Sequence, residues 1–403
     1  MSSSNNNTTY KKTSFLAGNN SEFINEFSSF FLISEIANYF CAVAILLLLT
    51  RFKLVEEKYF IFWCLYFLTP FFGNYVIFDP LYMPDQYIYT NTVNEIRADG
   101  LPEIGLSNYD AVRNSVTNLS SIFFSFIPLF SNLTITSVAF ANQIYTLLIY
   151  IYLRNKIKSW EILALLLLPS FILYSSVSLR EVLIIFFTVI SLISLIEKKY
   201  LVSLLCIFLI FIFKIQNSIA LLIMFFGVLV FRIDKSITCL ILLILLILLG
   251  SFIFFDEYIP FLNLYRNAFA LEAGIDRFVV NSGIVATEYL DFVWTTAKAL
   301  AGLLVRPFPW QTGGLGIIIF FENIFILFIV YKLFQDIFKG DKNKVLTGIF
   351  LLLGLLVTLS FYAYTISNLG TLSRYRFTTI YPFLFAFLYI QNQQFSQENE
   401  KSK

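Results

Sequence analysis

"SITCLILLILLILLGSFIFF", residues 236–255, carries no charged side chain, and its only hydroxyls belong to Ser236, Thr238 and Ser251. A helix of this length spans about 30 Å at 1.5 Å per residue, which is the thickness of a bilayer's hydrocarbon core. It is apolar on every face, so it has no side to offer to water. We read it as a membrane-spanning helix. The rest of the chain follows the same pattern: 58% of its 403 residues are hydrophobic and only 13% are charged, with a mean hydropathy of +0.77. Comparable runs lie at 27–50, 59–78, 134–153, 160–178, 179–196, 200–214, 216–231, 314–334, 345–365 and 377–391. The expected fold is therefore all-α: a polytopic transmembrane helical bundle of about eleven spans (roughly 10–13). The apolar stretch 117–131 is interrupted by Pro128 and is read as interfacial or re-entrant, and 293–307 has the same ambiguity.

Basic residues cluster in alternate connections. Arg51, Lys53 and Lys58 form one group; Arg154, Lys156 and Lys158 another; then Lys198 and Lys199; Arg232 and Lys235; Lys332, Lys339, Lys342 and Lys344; and Lys401 and Lys403 in the tail. Short cytoplasmic loops concentrate Lys and Arg. These connections are assigned to the cytoplasm, with the N-terminus outside and the C-terminus inside. The expected organisation is a polar N-terminal segment (1–26), one integral membrane domain (27–391) and a cytoplasmic tail (392–403), with no cleavable signal peptide. Two long, acidic, aromatic-rich connections, about 79–133 and 256–313, fall on the outer side and are expected to carry short helices.

Composition narrows the chemistry. The net charge of +2 gives no electrostatic case for nucleic acid. The chain has no histidine, so the usual base at neutral pH and the commonest metal ligand are both missing. Cys41, Cys64, Cys206 and Cys239 are scattered singly, without zinc spacing, and read as buried apolar residues. No metal and no cofactor is expected. Catalysis would have to come from carboxylates and cations.

Several polar clusters break the apolar pattern on the outer side. In "YMPDQYIYTNTVNEIR" (82–97), Asp85 follows a proline and precedes a possible surface helix. In "PSFILYSSVSLREVL" (169–183), Arg180 and Glu181 stand at a helix start. An arginine there opposes the helix dipole and makes sense if an anion is to be gathered by the same end. "FKIQNSI" (213–219) places Lys214 and Asn217 among apolar residues, where ionisable groups are costly and usually functional. "LLVRPFPWQTGG" (303–314) offers Arg306 and Trp310 on a proline-rigidified ledge, and Glu322 follows within the next span. "NLGTLSRYR" (368–376) holds Arg374 and Arg376. They share a direction if the segment is extended and diverge by roughly 200° if it is helical.

Guanidinium groups match phosphate oxygens in pairs and stay charged. Arg180, Arg306, Arg374 and Arg376, with Lys214 nearby, point to a lipid-linked diphosphate. Asn217, Glu181, Trp310 and Glu322 are candidates to line the diphosphate and sugar. Asp85 is the first candidate base, followed by Glu181 and Glu322.

The order of "PDQYIY…EIR", "PSFILYSSVSLREVL", "RPFPW" and "NLGTLSRYR" before a final span resembles Wzy-type O-antigen or capsule polymerases, membrane glycosyltransferases of the GT-C-like class. That resemblance implies a metal-independent glycosyltransferase of the bacterial inner membrane. It would move a growing glycan from undecaprenyl diphosphate onto another undecaprenyl-diphosphate-linked oligosaccharide at the periplasmic face, with a chain-length regulator protein as a possible partner alongside membrane lipids. By that resemblance Arg180 and Arg374 are expected to be catalytic beside Asp85, stabilising the departing diphosphate, and Arg306 and Arg376 to bind the substrate. The alternatives are another polyprenyl-phosphate-dependent GT-C glycosyltransferase or ligase, and a lipid-linked glycan transporter or flippase. A ligase is expected to use a histidine that this chain lacks, and a transporter is expected to show inverted repeats.

Overall fold

The computed structural model describes residues 29–401 apart from 75, 78–82, 84, 102–108, 131–133, 230–235, 274–285, 312–313 and 367–368. The N-terminal segment 1–26, Arg232 and Lys235, and Lys403 therefore lie outside the described residues. Among those described the chain is helical, with no strand.

In chain order the helices are α1 (Ser29–Arg51), α2 (Phe60–Tyr66), α3 (Pro70–Gly73), α4 (Asp85–Asp99), α5 (Tyr109–Ser125), α6 (Ile135–Leu153), α7 (Ser159–Leu166), α8 (Pro169–Ser175) and α9 (Glu181–Ile196). They continue as α10 (Tyr200–Phe213), α11 (Ile215–Leu229), α12 (Ile237–Ile253), α13 (Phe255–Ala273), α14 (Tyr289–Val305), α15 (Gly314–Phe338), α16 (Lys342–Thr365) and α17 (Leu369–Lys401).

The helix α9 forms the axis of the bundle. It is buried along nearly its whole length and packs between α10 and α17, with α6 alongside. Its apolar residues on all faces suit this position, because no face needs to meet water. By contrast α12 is wrapped on one side only, and Leu242, Leu245 and Leu249 stand about half exposed (49%, 54% and 54%). Exposed apolar area on this scale is compatible with a place against lipid. Four helices are long and apolar enough to cross a membrane: Ile33–Arg51, Ile135–Leu153, Gly316–Phe338 and Lys342–Thr365. A fifth crossing is reached if Ile237–Ile253 and Phe255–Asn267, which meet at 80°, count as one broken span. This is compatible with a membrane helical bundle, and it is fewer than the sequence suggests.

The shortfall has local causes. The run 160–178 divides into α7 and α8 because Pro169 excludes helix geometry from the residue before it; Leu168 is extended at ψ 141°. Pro70 heads α3 by another route: Thr69 before it keeps helical angles (φ −60°, ψ −30°), and the proline, lacking an N–H, cannot bond back to α2. The apolar helices α9, α10 and α11 are individually short. The two ambiguous stretches both form helices. α5 ends at Ser125, where Arg97 donates to the carbonyls of Ser125 (3.3 Å), Ile127 (2.5 Å) and Leu129 (3.3 Å). α14 starts against Tyr364, through Phe292 at 4.9 Å between ring centroids, and ends with Asn323 of α15 donating to the Arg306 carbonyl at 2.9 Å.

The polar residues separate to the two ends of the bundle. At one end Glu56 accepts from Ser159 (2.5 Å) and pairs with Lys58 (2.7 Å), while Glu197 joins Lys156, Lys199 and Tyr389. Gln391 reaches Asp336 at 3.0 Å and Asn392 reaches Glu161 at 2.7 Å, so these connections and the far part of α17 share one end. The starts of α9, α11 and α17 and the ends of α10 and α16 gather at the other.

Candidate functional site

Arg374 lies in the second turn of α17 and joins two other helix starts. Its Nη1 donates to Asp85 of α4 at 2.8 Å, and its Nε bonds Glu181, the first residue of α9. Side-chain exposure falls from 38% at Asp85 through 18% at Arg374 to 1% at Glu181, so the cluster opens on the Asp85 side. A guanidinium fork can serve two carboxylates at once, whereas an ammonium on a flexible stem cannot hold both geometries.

Arg180 adjoins this pair as the residue capping α9, and its buried Nε has no hydrogen-bond partner among the described residues. Lys214, at the α10–α11 junction, is 6% exposed. Its Nζ sits 3.0 Å from the centre of the Tyr375 ring and 5.5 Å from that of Tyr362, and it forms no ion pair among the described residues. Arg180 and Arg374 are close enough to Lys214 to act on its charge, as are Glu181 and Asp85. Three cations therefore face two carboxylates, both of which are engaged by Arg374. Asn217, in the first turn of α11, accepts from Tyr362 and faces the Thr378 carbonyl at 3.5 Å, tying α11 to α16 and α17. On α4, Tyr89 borders the same charges, and burial pushes its hydroxyl up to about 12.

A mesh of amides holds the backbone beneath these charges. Gln86, next to Asp85, exchanges a reciprocal pair of bonds with Asn74 (2.9 and 2.8 Å) and accepts from the Ser178 N–H at 3.0 Å. Asn142 donates to the carbonyls of Val177 (2.6 Å) and Leu179 (2.7 Å), and Gln143 donates to that of Ser175 at 3.0 Å. Residues 176–179 are thus irregular, buried backbone whose polar groups are met by side chains, as interior backbone requires. Gly73 is needed beside them, because a Cβ there would stand 2.9 Å from the Ser176 carbonyl oxygen.

A second group lies apart from the first. Since 369–401 is helical, Arg374 and Arg376 diverge. Arg376 turns away and donates to the carbonyls of Leu303 (3.1 Å) and Arg306 (2.6 Å), closing the end of α14. Glu322 accepts from the Ser170 N–H (3.0 and 3.1 Å), the Ser170 hydroxyl (2.8 Å) and Tyr381, which satisfies the start of α8. Trp310 is 78% exposed and stacks on Phe308 at 4.9 Å, with the Arg306 guanidinium 5.8 Å from the Phe308 ring. Of the residues singled out in the sequence, Asp85, Arg180, Glu181, Lys214, Asn217 and Arg374 converge. Arg376 and Glu322 are engaged in holding helices together, and Arg306 and Trp310 form a separate ledge.

Gln86, Asn142, Gln143 and Tyr362, whose ring packs against that of Tyr375, escaped the sequence reading. The adjacent amides Asn142 and Gln143 inside the apolar run 134–153 were the available signal. Arg266 escaped too; it is buried on α13, with its guanidinium 5.0 Å from the Tyr364 ring. No group of three or more metal-ligating side chains occurs among the described residues. No family model, curated protein or solved structure matches the chain.

Proposed function

We propose that the chain is a polymerase of lipid-linked oligosaccharide repeat units, acting at the outer face of the bacterial inner membrane. The observation that carries this reading is a buried cationic cluster in which Arg374 is already positioned by Asp85 and Glu181, while among the described residues Lys214 has no ion-pair partner and the Nε of Arg180 no hydrogen bond. Buried cations without counter-charge are expensive, and a site that keeps them is suited to an anion. A diphosphate on an undecaprenyl carrier supplies one at membrane depth. In the full reading about eleven segments cross, counting the short and broken helices. The cation-rich end faces the cytosol, the N-terminus lies outside and the C-terminus inside.

In the proposed reaction an acceptor hydroxyl on one lipid-linked unit attacks the anomeric carbon of the growing glycan. The new carbon–oxygen bond forms as the bond to the donor diphosphate breaks, and the hydroxyl proton passes to Asp85. Arg180, Lys214 and Arg374 stabilise the charge that develops on the departing diphosphate. Competition by phosphate oxygens for Arg374 would loosen its hold on Asp85 and free that carboxylate to meet the acceptor hydroxyl, which couples donor binding to proton acceptance.

The test is direct. Purified protein is given a defined undecaprenyl-diphosphate-linked repeat unit, with and without a chelator, and the products are separated by length. A ladder that survives the chelator is expected. Absence of any product longer than one unit would refute the assignment.

A further inference from the structure

The helix α17 carries a proline in its interior. Pro382 is buried and has no N–H to give the Thr378 carbonyl one turn earlier. Thr378 is itself fully buried, and a buried carbonyl without a donor is unfavourable. Asn217 of α11 faces that carbonyl, with its Nδ2 at 3.5 Å. A carbonyl can only accept, so Nδ2 must be the atom turned toward it, and Oδ1 is left to accept from the Tyr362 hydroxyl of α16. One amide thus joins α11, α16 and α17 at the place where α17 lacks a bond of its own.

The same partners lead back to Lys214. The Asn217 N–H donates to the Lys214 carbonyl at 3.1 Å, so both residues belong to one turn. The Thr378 and Thr379 hydroxyls donate to the Tyr375 carbonyl at 3.0 and 2.9 Å. The Tyr375 ring lies 4.9 Å from that of Tyr362, and its centre is 3.0 Å from the Lys214 Nζ. Contacts therefore run from Asn217 through Thr378 and Tyr362 to Tyr375, and return to α11 at Lys214. We infer that Asn217 is a positioning residue of the anion site: it fills the gap left by Pro382 and so fixes the ring on which Lys214 rests. The inference rests on the diphosphate reading of Lys214, and it removes Asn217 from the groups that meet the ligand.

The experiment uses the full chain in bilayer discs, with inorganic pyrophosphate affinity from calorimetry and melting temperature as separate readouts. Asn217→Leu should weaken pyrophosphate binding at least about tenfold. Pro382→Ala returns an N–H to the Thr378 carbonyl, so Asn217→Leu/Pro382→Ala should bind within about threefold of the unsubstituted chain. A residue that touched the ligand could not be replaced in this way, so affinity that stays low in the double variant would overturn the inference. Unaltered affinity in Asn217→Leu would also overturn it, leaving a bond that serves stability alone. Tyr362→Phe keeps the ring and gives up one bond, which covers the case in which Asn217→Leu does not fold. It should lose about threefold in affinity, and no loss would sink the inference. If the unsubstituted chain does not bind pyrophosphate, the diphosphate reading fails, and melting temperatures judge the gap-filling role by themselves. Asn217→Leu should then lower the melting temperature less in the Pro382→Ala background than in the unsubstituted chain; equal lowering would overturn that role as well.

Discussion

Arg374 pairs with two carboxylates at once, and one of them, Glu181, has almost no access to solvent. Removing one partner of a buried ion pair leaves an uncompensated charge and costs about 3–5 kcal/mol. Arg374→Ala should therefore lower the thermal unfolding temperature as well as abolish chain extension. The two effects can be separated by the double variant Arg374→Leu/Glu181→Gln, which removes both charges; its melting temperature should recover while the product ladder stays absent. Long-chain product from Arg374→Ala would dismiss the residue's proposed role. Lys214 predicts the opposite pattern. A desolvated ammonium over aromatic rings gains about 2 kcal/mol, less than the several kcal/mol its burial costs. Lys214→Met should leave the melting temperature unchanged or raise it, and pyrophosphate affinity should still fall at least about tenfold in calorimetry. A stability loss with unaltered pyrophosphate affinity would make Lys214 structural. Arg180→Lys keeps the charge but loses the planar fork, and should slow polymerisation if phosphate is held bidentately.

At the scale of elements, the irregular segment 176–179 decides where Arg180 and Glu181 stand. Its carbonyls at Val177 and Leu179 depend on Asn142 alone among the described side chains. Asn142→Leu should cost about 1–3 kcal/mol, read as a lower melting temperature. Gly73→Ala should displace the segment at the Ser176 carbonyl and reduce chain extension more than it reduces stability; full activity would show that the segment has room to shift. The sequence revealed the charges of this region and missed its support for a physical reason. An arginine or lysine amid apolar residues is conspicuous in one dimension, because its burial needs an explanation wherever the chain goes. Asn142 and Gln143 are explained by partners far along the chain, the carbonyls of Val177, Leu179 and Ser175 and the Thr69 hydroxyl, contacts that no local pattern encodes. The same limit explains 160–178. Its apolar content suits one span, but Pro169 divides it, and the resulting start of α8 is met by Glu322 from a helix more than a hundred positions later. Glu322 was legible as a buried acid and illegible as a helix cap. The divergence of Arg374 and Arg376 followed directly from the local geometry, once that geometry was helical.

Over the whole molecule, charges of unlike purpose occupy opposite ends. At the cation-rich end, burial tends to raise the Glu197 carboxyl, but bonds from Lys156, Lys199 and Tyr389 outweigh it and hold the group below its ordinary value. A carboxyl depressed by folding adds stability above its unfolded pKa of about 4.3, and that stability is lost as pH falls through the lower, folded value. The pairs are partly exposed, so the term is about 1 kcal/mol. Melting temperature should decline below about pH 4.5, and Glu197→Gln should flatten that decline. The proposal puts this end in the cytosol on the strength of its lysines, and that choice governs everything proposed for the other end, since a polymerase of translocated lipid-linked units needs its cationic cluster outside. Trp310 is exposed on the ledge beside Arg306, and Lys339 is exposed at the opposite end, next to Asp336. In intact cells Trp310→Cys should react with a membrane-impermeant maleimide, and Lys339→Cys should react only after permeabilisation. Native cysteines provide the background, measured in the unsubstituted chain. The reverse pattern would turn the Arg180–Lys214–Arg374 cluster toward the cytosol, where Asp85 would meet nucleotide sugars and unflipped lipid precursors, and the polymerase reading would fall.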